Sequence, residues 1–259
     1  MSTPPPIAAS VDPNAQPSQP GLSEAQRIID SFVAPSKTFL DIRRGASWWV
    51  PWLLTSIFGL AFAIVLTQKI DFDQFVRQEI AKSPRAAQFE SLPKDQQEQQ
   101  LAFASRITKG FVYATPILGI LGALFLALIL WVTFTFGFGA DIPYSRSLAI
   151  CFYSWLPPHV VAAVLGIVSL LAGANPEGVN LRNPIATNPA YFMDTNATSK
   201  FVYGMAASID VIAIWTIVLL GLGFALNSAN RKLSAGTAIG TVAVLYLLSR
   251  LAFSALGWV

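Results

Sequence analysis

Cysteine and histidine are almost missing from this chain, with Cys151 and His159 the single representatives of each. One thiol excludes an internal disulfide, and one imidazole beside it leaves no zinc-ligand cluster, so neither a metal nor a cofactor is expected. Charge is scarce too, at 12% of residues against roughly one quarter in an ordinary soluble domain. The few charges are interleaved in sign and sum to +3, which gives nucleic acid no continuous cationic track. Catalytic signatures are absent: there is no G-x-S-x-G elbow, H-E-x-x-H pair, P-loop or G-x-G-x-x-G turn, and the chain is read as non-enzymatic. Residues 1–21 hold no charged stretch followed by an apolar core, so a cleavable signal peptide is not expected and the first span should direct insertion itself.

What the chain has in quantity is apolar surface, 54% of residues, gathered into long blocks. Such blocks are the signature of membrane-spanning helices of about 20 residues each. Five are expected, at about 48–67, 111–136, 147–172, 208–226 and 236–256. The fold class is therefore an all-α polytopic membrane bundle, with residues 1–21 a disordered Pro/Ser/Gln-rich tail and 22–259 the membrane domain.

Between the tail and the first span, Ser23 and Gln26 form a capping box ahead of an apolar stripe that includes Ile28, Ile29, Phe32 and Val33. Pro35 stops that helix, and a second short piece carrying Phe39, Leu40 and Ile42 follows; both suit the membrane interface. Trp48, Trp49 and Trp52 mark the interfacial end of the first span. Residues 68–110 are too long and too periodic for a turn, so they are expected to hold helices of their own, with Pro93 at the first position of one that runs on into the second span. Arg43, Arg44, Arg146, Arg231 and Lys232 flank spans on one side, while residues 68–110 carry more basic residues still; the tight connection over 227–235, with two basic residues and no acid, favours a cytoplasmic N-terminus.

Several features could carry chemistry. Each span has small residues four apart, such as Gly59 with Ala63, Gly119 with Ala123, Ala162 with Gly166, Gly221 with Ala225 and Gly236 with Gly240; this spacing lets helices approach closely, within one chain or between copies. Pro157 and Pro158 remove two backbone donors inside the third span, leave the Tyr153 and Ser154 carbonyls without helical partners, and predict an interruption with a kink. His159 beside them is a candidate ligand or proton site, or plainly a polar residue satisfied inside the bundle. Asp210 at the start of the fourth span suits the helix dipole, with Ser208 able to cap, and Arg250 in the fifth must snorkel or pair. An Asp210 to Arg250 pair is geometrically open, since both lie towards the same side. Gly137-Phe138-Gly139-Ala140-Asp141 reads as a turn, and Asn196-Ala197-Thr198 as a chance sequon.

The segment 32–39 (FVAPSKTF), Trp49 and Pro51, Tyr153 and Pro157, Asn183-Pro184, Phe192-Met193-Asp194, and Ser208-Ile209-Asp210 with Trp215 and the run 220–223 together resemble the Yip (Ypt/Rab-interacting protein) domain family, in its prokaryotic branch. The resemblance spans about 28–256. It implies five spans, a cytoplasmic N-terminus and, for a prokaryotic member, the bacterial inner membrane. The Asp-Leu-Tyr-Gly-Pro motif of eukaryotic members is absent, which argues against binding a Rab-type GTPase. The functional expectation is a non-enzymatic scaffold or adaptor in membrane organisation or trafficking, whose partners are the lipid bilayer and a second copy or other membrane proteins. The alternative is a small-solute or proton-linked transporter using the third span. Candidate residues under either reading are Tyr153, Pro157, Pro158, His159, Asp210, Trp215 and Arg250.

Overall fold

The structure, a computed structural model, describes residues 21–172, 183–194, 197–229 and 233–256. Residues 1–20 of the expected tail, the basic pair Arg231 and Lys232, and Asn196 of the sequon lie outside the described residues.

The chain enters through α1 (Glu24–Val33) and α2 (Pro35–Asp41). The capping box closes as the sequence predicts: Gln26 N donates to Ser23 Oγ at 3.2 Å, and Ser23 N to Gln26 Oε1 at 2.9 Å. Pro35 begins α2 because its missing N–H costs nothing in a first turn. Phe39 and Ile42 are buried in the main core, whereas Ile29, Val33 and Leu40 point outward at 62%, 75% and 47% exposure, an apolar surface that suits acyl chains.

Then comes α3 (Trp49–Lys69), followed by three helices outside the apolar bundle: α4 (Phe72–Ala81), α5 (Ala86–Glu90) and α6 (Lys94–Tyr113). Val76, Phe89 and Leu101 give them a small core of their own. Pro93 is the residue before α6 rather than its first, a one-residue shift of the kind helix ends commonly show. α6 does not run unbroken into the next span, because the chain turns at Ala114 and restarts with Pro116 in the first turn of α7 (Thr115–Val132). A π-helical turn, Thr133–Gly137, ends that span. Gly139 (φ 63°) and Asp141 (φ 44°) then reverse the chain, so the glycine-rich stretch is the turn the sequence suggested.

α8 (Tyr144–Leu171) is the central post, in contact with α3, α7 and α10. Every residue from 147 to 154 on it is buried. The expected interruption does not occur here: the helix continues through Pro157 and Pro158, both buried and packed from several sides. The break is in the fourth span instead. The span expected at about 208–226 is α10 (Val211–Asn227), and a further helix, α9 (Lys200–Ser208), precedes it and meets it at 52°. The last helix is α11 (Ala235–Ala255). Four helices are long and apolar enough to cross a membrane alone, and the bent pair makes a fifth span when taken as one. Among the described residues all regular structure is helical, and the chain is an integral, polytopic membrane protein of the all-α class.

Candidate functional site

The bend follows from one side chain. Asp210 ends α9 and caps α10: its Oδ1 accepts from Ile212 N at 2.7 Å and Ala213 N at 3.0 Å. Ser208 is therefore not the cap; its hydroxyl donates back to Gly204 O at 2.8 Å. The second carboxylate oxygen of Asp210 accepts from Thr187 Oγ1 at 2.6 Å and Asn188 Nδ2 at 2.9 Å. Thr187 O also takes the Val211 N–H at 3.0 Å, so the chain between α8 and α9 is fastened to the break by main chain and side chain. Asn183 and Asn188 exchange amide hydrogen bonds at 2.8 and 2.9 Å, and Asn183 donates to the Tyr203 hydroxyl at 3.3 Å. Buried amides satisfied this fully make a rigid polar wall.

α11 closes the other side. Tyr246 donates to Ser208 O at 3.2 Å, and Arg250 Nε to Ser208 Oγ at 3.3 Å. Arg250 and Asp210 face one cavity of about 610 Å³ without forming an ion pair among the described residues. His159 lines the same cavity from α8, and its Nδ1 lies 2.8 Å from Trp155 O. A carbonyl can only accept, so Nδ1 carries a proton, and in a neutral ring Nε2 is then an acceptor. The three ionisable candidates, spread over 92 positions of sequence, thus meet around one space.

Helix register sets the depth of that space. Trp48 stacks on Phe152 with ring centroids 5.4 Å apart, and Phe62 fills the space over Gly166, so α3 and α8 run parallel. Ile150 meets Gly223 and Ile239 meets Gly221, which fixes α10 antiparallel to both α8 and α11. Counting along these pairs brings Asp210 and Arg250 level with Gly59, the middle of α3. Arg250 is also only five residues, about 7.5 Å of helix, from the end of α11.

A second, apolar cavity of about 430 Å³ lies between α3, α7 and α8 and shares His159, Ala162 and Ile185 with the first. Trp52, Gly59, Gly119 and Trp155 are on its walls. Gly59 and Gly119 are open: a Cβ on either would meet nothing within 4 Å, unlike Gly166 or Gly221, which are pressed against Phe62 and Ile239.

Of the remaining candidates, Trp215 is a partly buried packing residue against the main core, and Pro157 and Pro158 are buried helix residues. Tyr153, fully buried, belongs to another place: its hydroxyl donates to Glu24 Oε2 at 2.8 Å, joining α8 to α1. Arg27, buried beside Glu24, donates from Nε to Asp41 Oδ2 at 2.6 Å and from Nη1 to Gly45 O at 3.1 Å. Burial opposes its charge, but the hydrogen bond to Asp41 and the fields of Asp41 and Glu24 outweigh that and raise the guanidinium pKa above its ordinary value. Asn227 Nδ2 donates to Phe39 O at 2.9 Å and Arg43 donates to Leu226 O, which tie α2 and its exit to the end of α10. Neither this network nor the Asn183 to Asn188 pair was assigned a role from sequence. The only hint of the first was an arginine on the helix of the capping box, with a carboxylate 14 residues later.

Among the described residues no group of three His, Cys, Asp or Glu side chains is placed to hold a metal ion. No curated protein and no solved structure matches the chain. A family model does: the Yip1 domain matches residues 29–253, from α1 through the buried network, the proline-bearing helix and the capped bend to Arg250 on α11. With most of its length matched, the chain belongs to the Yip1 domain family.

Proposed function

We propose that the protein is a non-enzymatic scaffold or adaptor that organises the membrane it sits in. The carrying observation is the way α1 and α2 are held. Arg27, Asp41, Glu24 and Tyr153 clamp these helices to the bundle, while Ile29, Val33 and Leu40 face away from it. A fixed apolar collar at one end of the spans occupies area in a single leaflet and offers a surface to other membrane proteins or a second copy. In this reading the host is a bacterial inner membrane with the collar on the cytoplasmic side, and no Rab-type GTPase is the partner. A photo-crosslinking residue at Ile29 or Val33 in living cells should give reproducible adducts with a protein partner or another copy; adducts with lipid alone would remove the adaptor role. Sidedness is tested by labelling single cysteines placed in each loop of a Cys151→Ala background.

A second reading, small-solute or proton-linked transport, is favoured by His159, Asp210 and Arg250 sharing one cavity at a broken span. It requires flux in proteoliposomes that falls on His159→Ala and Arg250→Ala. Wild-type vesicles impermeable to a broad solute panel would exclude it.

A further inference from the structure

The polar cavity is short of acceptors. Asp210 accepts four hydrogen bonds, which fills the lone pairs of its carboxylate. It has nothing left for Arg250, whose only hydrogen bond among the described residues is made by Nε. The four N–H bonds of the two terminal guanidinium nitrogens remain, in a fork whose geometry matches two oxygens of a phosphate or carboxylate. The α10 N-terminus adds no competing anion site, because Asp210 already occupies it.

The adjoining cavity has the opposite character. It lies among Trp52, Phe62, Phe152 and Trp155, and it exists because Gly59 and Gly119 present no side chain there. The two cavities adjoin, with His159, Ala162 and Ile185 lining both: one is polar and donor-rich, with Arg250 and Asp210 on its walls, and the other is apolar. A free inorganic anion would leave the apolar end unfilled, and a neutral hydrocarbon would leave the guanidinium without an acceptor. An amphiphile with an anionic head satisfies both.

We propose that the two cavities together form a specific site for one glycerophospholipid, its phosphodiester on Arg250 with His159 alongside, and one acyl chain in the groove past Gly59 and Gly119. His159 joins the two halves: in the Nδ1–H tautomer its Nε2 can accept from a headgroup hydroxyl, and its ring stands against Trp155 with centroids 5.5 Å apart. The site does not rest on the scaffold reading, since it is built from α3, α7, α8, α10 and α11 and shares no residue with the collar.

The test uses the full chain, stripped of lipid in detergent and titrated by native mass spectrometry with dioleoyl phosphatidylglycerol, inorganic phosphate or dioleoylglycerol in separate arms. One phosphatidylglycerol should bind, and the other two probes should bind at least tenfold more weakly. Arg250→Gln should weaken phosphatidylglycerol at least tenfold, and so should Gly119→Leu, which fills the groove. Gly240→Leu, which adds the same side chain at another open helical glycine away from both cavities, should leave binding unchanged. Binding unaltered by Arg250→Gln and Gly119→Leu would mean annular lipid only and overturn the proposal. Inorganic phosphate matching the lipid, with Gly119→Leu neutral, would overturn it in favour of a small-anion site. Should Arg250→Gln fail to fold, Gly119→Leu against Gly240→Leu decides alone.

Discussion

Where α10 meets α11, a Cβ on Gly221 would lie 2.5 Å from the Ile239 backbone; where α3 faces α7, a Cβ on Gly59 or Gly119 would touch nothing within 4 Å. Both seams carry small residues four apart. In the first the missing side chain lets two backbones approach, the use membrane helices usually make of glycine where no hydrophobic force joins them. In the second it leaves room for something that is not protein. The same spacing thus encodes either contact or vacancy, and what decides is the side chain opposite: Ile239 brings its own main chain forward, while around Gly59 and Gly119 large aromatics such as Trp52 and Trp155 stand off at the groove's edge.

The sharpest way to break the contrast is Gly221→Val. The added atoms meet backbone that cannot yield, so the bundle should lose about 3 kcal/mol or more, at or beyond the upper range for overpacked cores, read as a lowered midpoint of unfolding in mixed detergent. An unchanged midpoint would show that the α10–α11 seam is not tight. Asp210→Ala should cost about 2 kcal/mol, the upper range for a lost helix cap, and should also loosen the chain over 183–188, read as faster amide exchange at Thr187 to Val211 contacts. Exchange unchanged there would mean that Asp210 does not hold that segment. Smallest is Gly59→Ala, which puts a methyl into open space on a helix and should stabilise by about 0.5–1 kcal/mol. A loss of stability would mean that α3 closes on α7 more than the open groove allows.

Much of the fold was legible because it is local. Long uncharged blocks gave the spans, and Ser23 with Gln26 gave the start of α1 from four consecutive residues. The proline pair was legible as composition, but the interruption expected of it does not occur. Removing two donors does not break a helix that is buried against α3, α7 and α10, since with no water to replace those bonds the remaining ladder is the best state available. The real break needed only one carboxylate, and the sequence did mark Asp210 as a helix start. Its other partners, Thr187 and Asn188, stand 23 and 22 residues away and owe their position to tertiary packing. The meeting of His159 with Arg250 was hidden for the same reason, as each looks isolated on its own helix.

Tyr153 and His159 sit six residues apart on α8, about 9 Å of helix axis. One is bonded to α1 through Glu24, and the other walls the two cavities. The helix between them is buried nearly all round, so it moves as a rod or not at all. A tilt of α1 that keeps the Glu24 bond would be passed along this stretch to His159, and a lipid held in the proposed site would oppose it. Surface and interior are joined through a turn and two thirds of one helix.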